Sequence, residues 1–557
     1  MCLDDEAWRL PSLEGQAGSA TPLPHPALRS TTATYDAFAR PWARLLLPWM
    51  LAFVLASCAS LPAPQPRPAQ HAFEHPESTT LGRIVAGSAP DARASGVRLL
   101  VSGEGALGSL VTLARRAERS LDLQYYIVRN DASARTLLRE VHAAAVRGVR
   151  VRMLVDDLNT AGSDESLLCL TRHPNIDLRL FNPLPAGRFS TYTRILSSLT
   201  DLDRINRRMH GKLLVADNAI AATGGRNLGD EYFVRNPKSN FVDLDVLVAG
   251  PAVRRLSAAF DRFWNDPLAY PVAQVIHDTP RCSGPVSESP QQETNAQGEM
   301  VDAPDSTPVP RSALARELRA QHLKLRWADV RVLADTPAKI AGADPSAPEP
   351  ASIAGEIERL LASARTELIL VTPYFVPGEH GVELIRGLRE RGVRVRVLTN
   401  SLASTDAPVV HVGYARYRSR LIDLGVELHE LRNQLGTPRS QLGRFGSSLA
   451  SLHAKAVVVD RRTVLVGSMN LDPRSQHLNT EMGLVIPDAD IAEQLVRLFD
   501  DVASDSSYRV RKDGDGRLRW NGGSPKVPDA EGSEPGASLG LRTLMFLLTP
   551  FAPEEML

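Results

Sequence analysis

The strongest constraint on this chain is that it repeats itself. Arg147-Gly148-Val149-Arg150-Val151-Arg152-Met153-Leu154 returns as Arg391-Gly392-Val393-Arg394-Val395-Arg396-Val397-Leu398, 244 residues later. A second pair of segments, beginning at His210 and His453, is 243 residues apart. Two matches at nearly one offset mean that order and spacing are duplicated, so the chain holds two copies of one domain. Each octapeptide follows an amphipathic helical pattern (132–147 and 379–391) and, before that, an apolar β-like run (121–128 and 367–375). Strand, helix and alternating strand is the grammar of a mainly parallel sheet covered by helices. Two α/β domains packed face to face, with the functional site between them, are therefore expected.

At 557 residues the chain has room for both copies and for segments outside them. Arg40 and Arg44 precede thirteen uncharged residues, 45–57, too few to span a bilayer, so 1–57 reads as an upstream segment and signal peptide. The run ends Leu55-Ala56-Ser57-Cys58, and small residues before a Cys resemble the bacterial lipobox, in which that Cys is acylated. Pro62, Pro64, Pro66 and Pro68 follow; a proline at every second residue makes an extended spacer. Residues 58–94 are thus expected to be a Pro-rich tether with Cys58 as its lipidated end. The body would then be a membrane-anchored lipoprotein of the cell envelope facing the periplasm. The first domain is placed at 95–276 and the second at 313–510. Between them, 277–312 is rich in Pro, Ser, Gln and Glu and reads as a disordered linker. Residues 511–557 form a further linker and an apolar end, Leu544-Met545-Phe546-Leu547-Leu548. That end has two readings, a segment in a membrane interface or a helix packed on the domain.

The chemistry sits in the second repeated segment. His210, Lys212, Asp217, Gly224-Gly225 and Asn227 match His453, Lys455, Asp460, Gly467-Ser468 and Asn470, giving H-x-K-x4-D-x6-G-[GS]-x-N twice. Only seven of the 64 cationic residues are Lys, and two of them stand here. In a strand, residues i and i+2 share a face, so His and Lys project together. Strand-core runs separate each Lys from its Asp, which puts Asp217 and Asp460 in turns away from the imidazoles, as structural anchors within the catalytic motif. Asn227, Ser468 and Asn470 are expected to meet substrate oxygens. Face to face, the copies would combine two His and two Lys around one phosphodiester. One imidazole would attack phosphorus and the other protonate the departing alkoxide, with the lysines neutralising the growing charge. Each ring needs an acceptor on its other nitrogen. Asp243 and Glu481, at matching places after their motifs, are assigned that orienting role. No metal-ligand spacing occurs, and two lysines supply the charge a metal would bring, so a cofactor-free, metal-independent reaction is expected. Lys+Arg and Asp+Glu are both 64 and aromatics are 5%, which disfavours nucleic acid as a partner.

The doubled motif resembles the phospholipase D superfamily over roughly residues 95–510. Arg207-Arg208-Met209-His210, the segment 224–233 and Asn470-Leu471-Asp472-Pro473-Arg474-Ser475 look like its bacterial cardiolipin synthase C branch. That resemblance implies a phosphatidyltransferase joining phospholipids, phosphatidylglycerol among them, through a covalent phosphatidyl-histidine. It also implies His210 as nucleophile and His453 as acid, then base; the spacing alone does not decide that order. A hydrolase with the same site and water as acceptor is the nearest rival. A nuclease and a catalytically silent membrane scaffold stand further off. Tyr125, Tyr126, Tyr374 and Phe375 end the first strands, as lipid-entrance or core aromatics. Arg204, Arg207 and Arg208 either draw anionic headgroups or form a solvated face.

Overall fold

A computed structural model describes residues 61–160, 164–184, 188, 202–276, 282, 292–294, 300–302, 312–341, 352–435, 448–522 and 534–549. The signal segment and Cys58 lie outside the described residues. The described residues fall within one compact unit.

Two nine-stranded sheets dominate it. At the heart of the first, Ser120–Tyr125, Arg150–Asp156 and Ile176–Phe181 run parallel, each octapeptide repeat supplying the middle strand. In the second, Glu367–Val371, Arg394–Asn400 and Glu427–Leu431 do the same. Every other pairing in these sheets is antiparallel, so the sheets are mixed where mainly parallel ones were expected. The reason is local. Each H-x-K strand (Leu213–Ala216, Ala456–Val459) is joined to the next by a tight turn instead of a crossover helix. Both central residues of each turn have positive φ, 53° and 50° at Asp217-Asn218 and 51° and 53° at Asp460-Arg461, which suits a short hairpin.

The inner faces of the two sheets share one apolar core, Val97 and Val246 from one repeat meeting Ile369 and Val464 from the other, with helices Pro251–Trp264 and Ala489–Asp505 packed into it. Separate cores under the outer helices cover the opposite faces. Two further pairings stitch the repeats together. Leu449–Leu452 lies parallel to Ser239–Val242, and Met209 bridges Thr480.

The domain limits differ from those expected. Helix Thr80–Ser88 buries Leu81, Ile84 and Val85 in the first core, and the backbone of Gln70 and Ala72 is hydrogen-bonded to Asn265 and Asp261. The span 61–94 is thus part of the first body, because its apolar side chains outweigh the prolines that precede them. Helix Ala313–Arg319 and strand Arg326–Ala328 also complete the first body, so the second begins near Arg331. The hairpin Ser507–Lys512 and Leu518–Gly522 carries the second sheet beyond residue 510. Within the expected linker, Cys282 is disulfide-bonded to Cys169, with Cα atoms 5.7 Å apart, and Gln292–Thr294 pairs with Met300–Asp302. Among the described residues no helix is long and apolar enough to cross a membrane.

Candidate active site

The two H-x-K segments enter the site along the stitches between the repeats. His210 N–H donates to the Thr480 carbonyl and His453 N–H to the Val242 carbonyl, each at 2.9 or 2.8 Å. The residues that follow those two carbonyls are Glu481 and Asp243. As a result the acids cross over. Nδ1 of His210, from the first repeat, lies 2.9 Å from the Glu481 carboxylate of the second. Nδ1 of His453, from the second repeat, lies 2.6 Å from Asp243 of the first. Each half-site therefore takes its histidine from one repeat and its orienting acid from the other, and the Nδ1 contacts leave each Nε2 as the nitrogen open to chemistry.

Both histidines are buried, 7% and 6% exposed, as are Lys212 and Lys455. Each ammonium donates to the carbonyl of its own motif histidine, at 2.6 Å for Lys212 and 2.5 Å for Lys455. Burial pushes His210 down to about 4, with Lys212 and Lys455 adding to the shift against the pull of Glu481. His453 is also lowered by burial and by Lys455, while Asp243 opposes the shift. Burial likewise drives Lys212 well below the usual lysine range and lowers Lys455. Glu481 stays below its ordinary value despite burial, because His210, Lys212 and the Ser468 hydroxyl favour its charged form. Asp243 is held low against burial by His453 and Lys455. The site is thus a desolvated cluster of two lysines, two carboxylates and two imidazoles whose charges act on one another.

Asp217 and Asp460 face away from this cluster. The Asp217 carboxylate accepts from the backbone N–H groups of Glu118, Arg119 and Ser120, at 2.7 to 3.1 Å. Asp460 does the same for Arg365, Thr366 and Glu367, at 2.7 to 3.1 Å. They tie each hairpin to the start of the neighbouring strand. Asn227 accepts from the Ile127 N–H at 3.1 Å, and its buried amide nitrogen has no partner. Asn470 is buried with Oδ1 unpartnered. Ser468, expected to meet substrate, is engaged otherwise: its hydroxyl donates to Glu481 at 2.5 Å and accepts from Met482 N–H. It steadies the acid.

Several contributors carry no motif signal. Tyr126 stands edge-on to His210, ring centroids 4.9 Å apart, and Lys212 lies 5.4 Å from the centre of the same ring. Tyr232 and Phe241 flank His453 at 5.3 and 5.0 Å. Asp335 pairs with the Glu481 backbone in both directions. Of the four aromatics singled out at strand ends, Tyr125 and Phe375 are core residues, and Tyr374 donates to Asp406 at 2.9 Å. Arg208 is fully buried and paired with Asp156 at 2.7 Å, which excludes it from a solvated face or a headgroup funnel. Its partner also accepts from Met209 N–H, so the pair fixes the approach to His210. Among the described residues no cluster of three His, Cys, Asp or Glu side chains is placed to hold a metal.

Two H-x-K-bearing α/β repeats that share one buried site define the phospholipase D class of proteins. Residues 110–264 and 357–503 each match the family described as "Cardiolipin synthase, PLD-like domain", and the chain belongs to that family. It is 38% identical to cardiolipin synthase C of Escherichia coli (strain K12) over 80% of this chain and 92% of that protein. A cardiolipin synthase of Geobacillus kaustophilus is 25% identical over 74% of this chain and 67% of its own length. Among solved structures, phosphatidylserine synthase of Haemophilus influenzae shares the fold, with a TM-score of 0.53 at 16% identity, over 86% of this chain and all of that one.

Proposed function

We propose that this chain is a phosphatidyltransferase that makes cardiolipin from phosphatidylglycerol and a second phospholipid, through a phosphatidyl group held on His210. The observation that carries the reading is the crossed pairing, which gathers two carboxylate-oriented imidazoles and two buried lysines into one cluster. His210, at about 4, is neutral at pH 7 and can act as the nucleophile. His453 has the closer acid partner, which favours the protonated form that a general acid needs. Nε2 of His210 attacks phosphorus, the P–O bond to glycerol breaks, and His453 gives that oxygen its proton. The hydroxyl of a second phosphatidylglycerol then returns a proton to His453 as its oxygen attacks phosphorus and the P–N bond breaks. Two phosphatidylglycerols yield one cardiolipin and one glycerol. In this scheme Lys212, Lys455 and the amide of Asn227 offset the charge that builds on the phosphoryl oxygens.

The test supplies phosphatidylglycerol in bilayers with EDTA and follows the products. Cardiolipin plus glycerol is expected. Phosphatidic acid as the main product would make the enzyme a hydrolase, and activity only after a divalent ion is added would overturn the two-histidine scheme. Acylation at Cys58 and a place facing the periplasm belong to the same proposal. The lipobox-like sequence supports it, as does the Cys169–Cys282 disulfide, a bond that persists in oxidising compartments. Radioactive fatty acid should label the wild-type chain and not Cys58→Ala; an unlabelled wild type removes the anchor from the account.

A further inference from the structure

Helix Leu539–Leu548 is apolar on both of its sides. Leu541, Met545 and Leu548, at helical spacing, pack against Leu402, Ala403, Val412 and Ala537. The sides turned away from that packing present Leu539, Phe546 and Leu547, exposed by 79, 78 and 59%, and Leu544, on the flank beside Leu541 and Leu548, is 50% exposed. These are four of the seven large apolar side chains exposed among the described residues, gathered on ten residues of chain. A helix that met only water would be polar on that side.

The helix is also held in place. Glu534, just before it, accepts from the buried Arg418 at 2.8 Å, and Arg418 is paired in turn with Glu430 at 2.9 Å. Arg416 donates to the Thr549 carbonyl at the far end at 2.8 Å, and Arg542 to the Ala537 carbonyl at 3.0 Å. Arg416 and Arg542 border the apolar side with positive charge. The ground on which the helix rests, Leu402 and Ala403, begins the segment that ends in Asp406. That carboxylate accepts from Tyr374 and acts electrostatically on His453 and Lys455. A rigid apolar side, edged by arginine, is thereby fixed to the segment that flanks the site.

We infer that this helix is a membrane-docking element, which inserts Leu539, Leu544, Phe546 and Leu547 into the interface of an anionic phospholipid bilayer and seats the mouth of the site on the surface that holds its substrate. The identity of the occupant rests on the proposed function, since an enzyme acting on bilayer lipids must meet a bilayer. Insertion here is separate from acylation at Cys58 and survives without it.

The full chain carrying Cys58→Ser is sedimented with vesicles of phosphatidylglycerol and phosphatidylcholine, with and without Leu544→Asp, Phe546→Asp and Leu547→Asp together. The triple substitution should weaken vesicle binding at least about tenfold while leaving the melting temperature and turnover of dispersed short-chain phosphatidylglycerol unchanged. In Phe546→Trp, tryptophan emission should shift to the blue on vesicles and be quenched by brominated acyl chains. Equal sedimentation of the triple variant and its parent would overturn the inference. So would an unshifted Phe546→Trp emission, or a dimer formed through this side in vesicle-free solution. Because sedimentation is scored without turnover, a chain that binds yet makes no cardiolipin would refute the functional reading and leave the docking side standing.

Discussion

Asp243 and Glu481 differ by one methylene, and the motif position beside each acid differs in step. A Cβ on Gly225 would lie 2.1 Å from Asp243 Oδ1, whereas the matching Ser468 reaches Glu481 with its hydroxyl. Gly225→Ser should therefore displace Asp243 and release His453. Ser468→Gly should preserve the fold and loosen only His210; circular dichroism with turnover separates the two outcomes. His210→Ala and His453→Ala should each cost at least about 10²-fold in turnover with unchanged melting, since under the proposed mechanism each removes a proton-transfer or nucleophilic group and neither removes core packing. Retention of more than about a tenth of wild-type activity by either variant would refute a shared site. The pH profile follows from the shifts. With His210 at about 4 and His453 below its ordinary 6.5, activity should fall on the alkaline side as His453 loses its proton, placing the optimum below neutrality. Removing an anion beside a histidine lowers its pKa, so Asp243→Asn should move that alkaline limb further down. A limb that stays put or rises would contradict the assignment of His453 as the acid. These residues were legible in the sequence because they are duplicated. Tyr126, Tyr232 and Phe241 were not, because an aromatic at a strand end or in a loop reads equally well as core.

At the scale of elements, the repeat fixed which strands exist, while the tight turns decided how they pair. Two consecutive positive φ values at an Asp-led turn made the H-x-K strand one arm of a hairpin, and that turned an expected parallel sheet into a mixed one. The turns themselves hang on Asp217 and Asp460. Asp217→Ala strips three backbone N–H groups of their acceptor in a buried setting and should cost about 1–3 kcal/mol, read as a lower denaturation midpoint. Asp460→Ala should cost less, because its turn is more exposed and water can replace the carboxylate. Equal losses would show that burial does not set the cost. The elements that escaped sequence reading are those stabilised from far away. Thr80–Ser88 is a short helix after a proline run, and Arg326–Ala328 is a three-residue strand. Neither has enough local pattern to declare the sheet or core it joins.

Across the whole molecule, the crossed acids make each repeat incomplete. Neither copy holds a histidine and its orienting carboxylate together, so the site exists only when the inner sheet faces share their core. The sequence places Asp243 and Glu481 after their own motifs, and nothing local tells which histidine each one serves. That is decided by pairings between residues 210 positions apart or more, such as Leu452 with Val242 and Met209 with Thr480. The measurement that bears most directly on this account is a search for the covalent intermediate. Full-length protein carrying His453→Ala is given a phosphatidyl substrate whose leaving group needs no proton, quenched in alkali, digested and examined by mass spectrometry. Without His453 as base the intermediate should persist, and the phosphatidyl mass should sit on the peptide containing His210. An adduct on any other residue, or rapid turnover with none trapped, would contradict it.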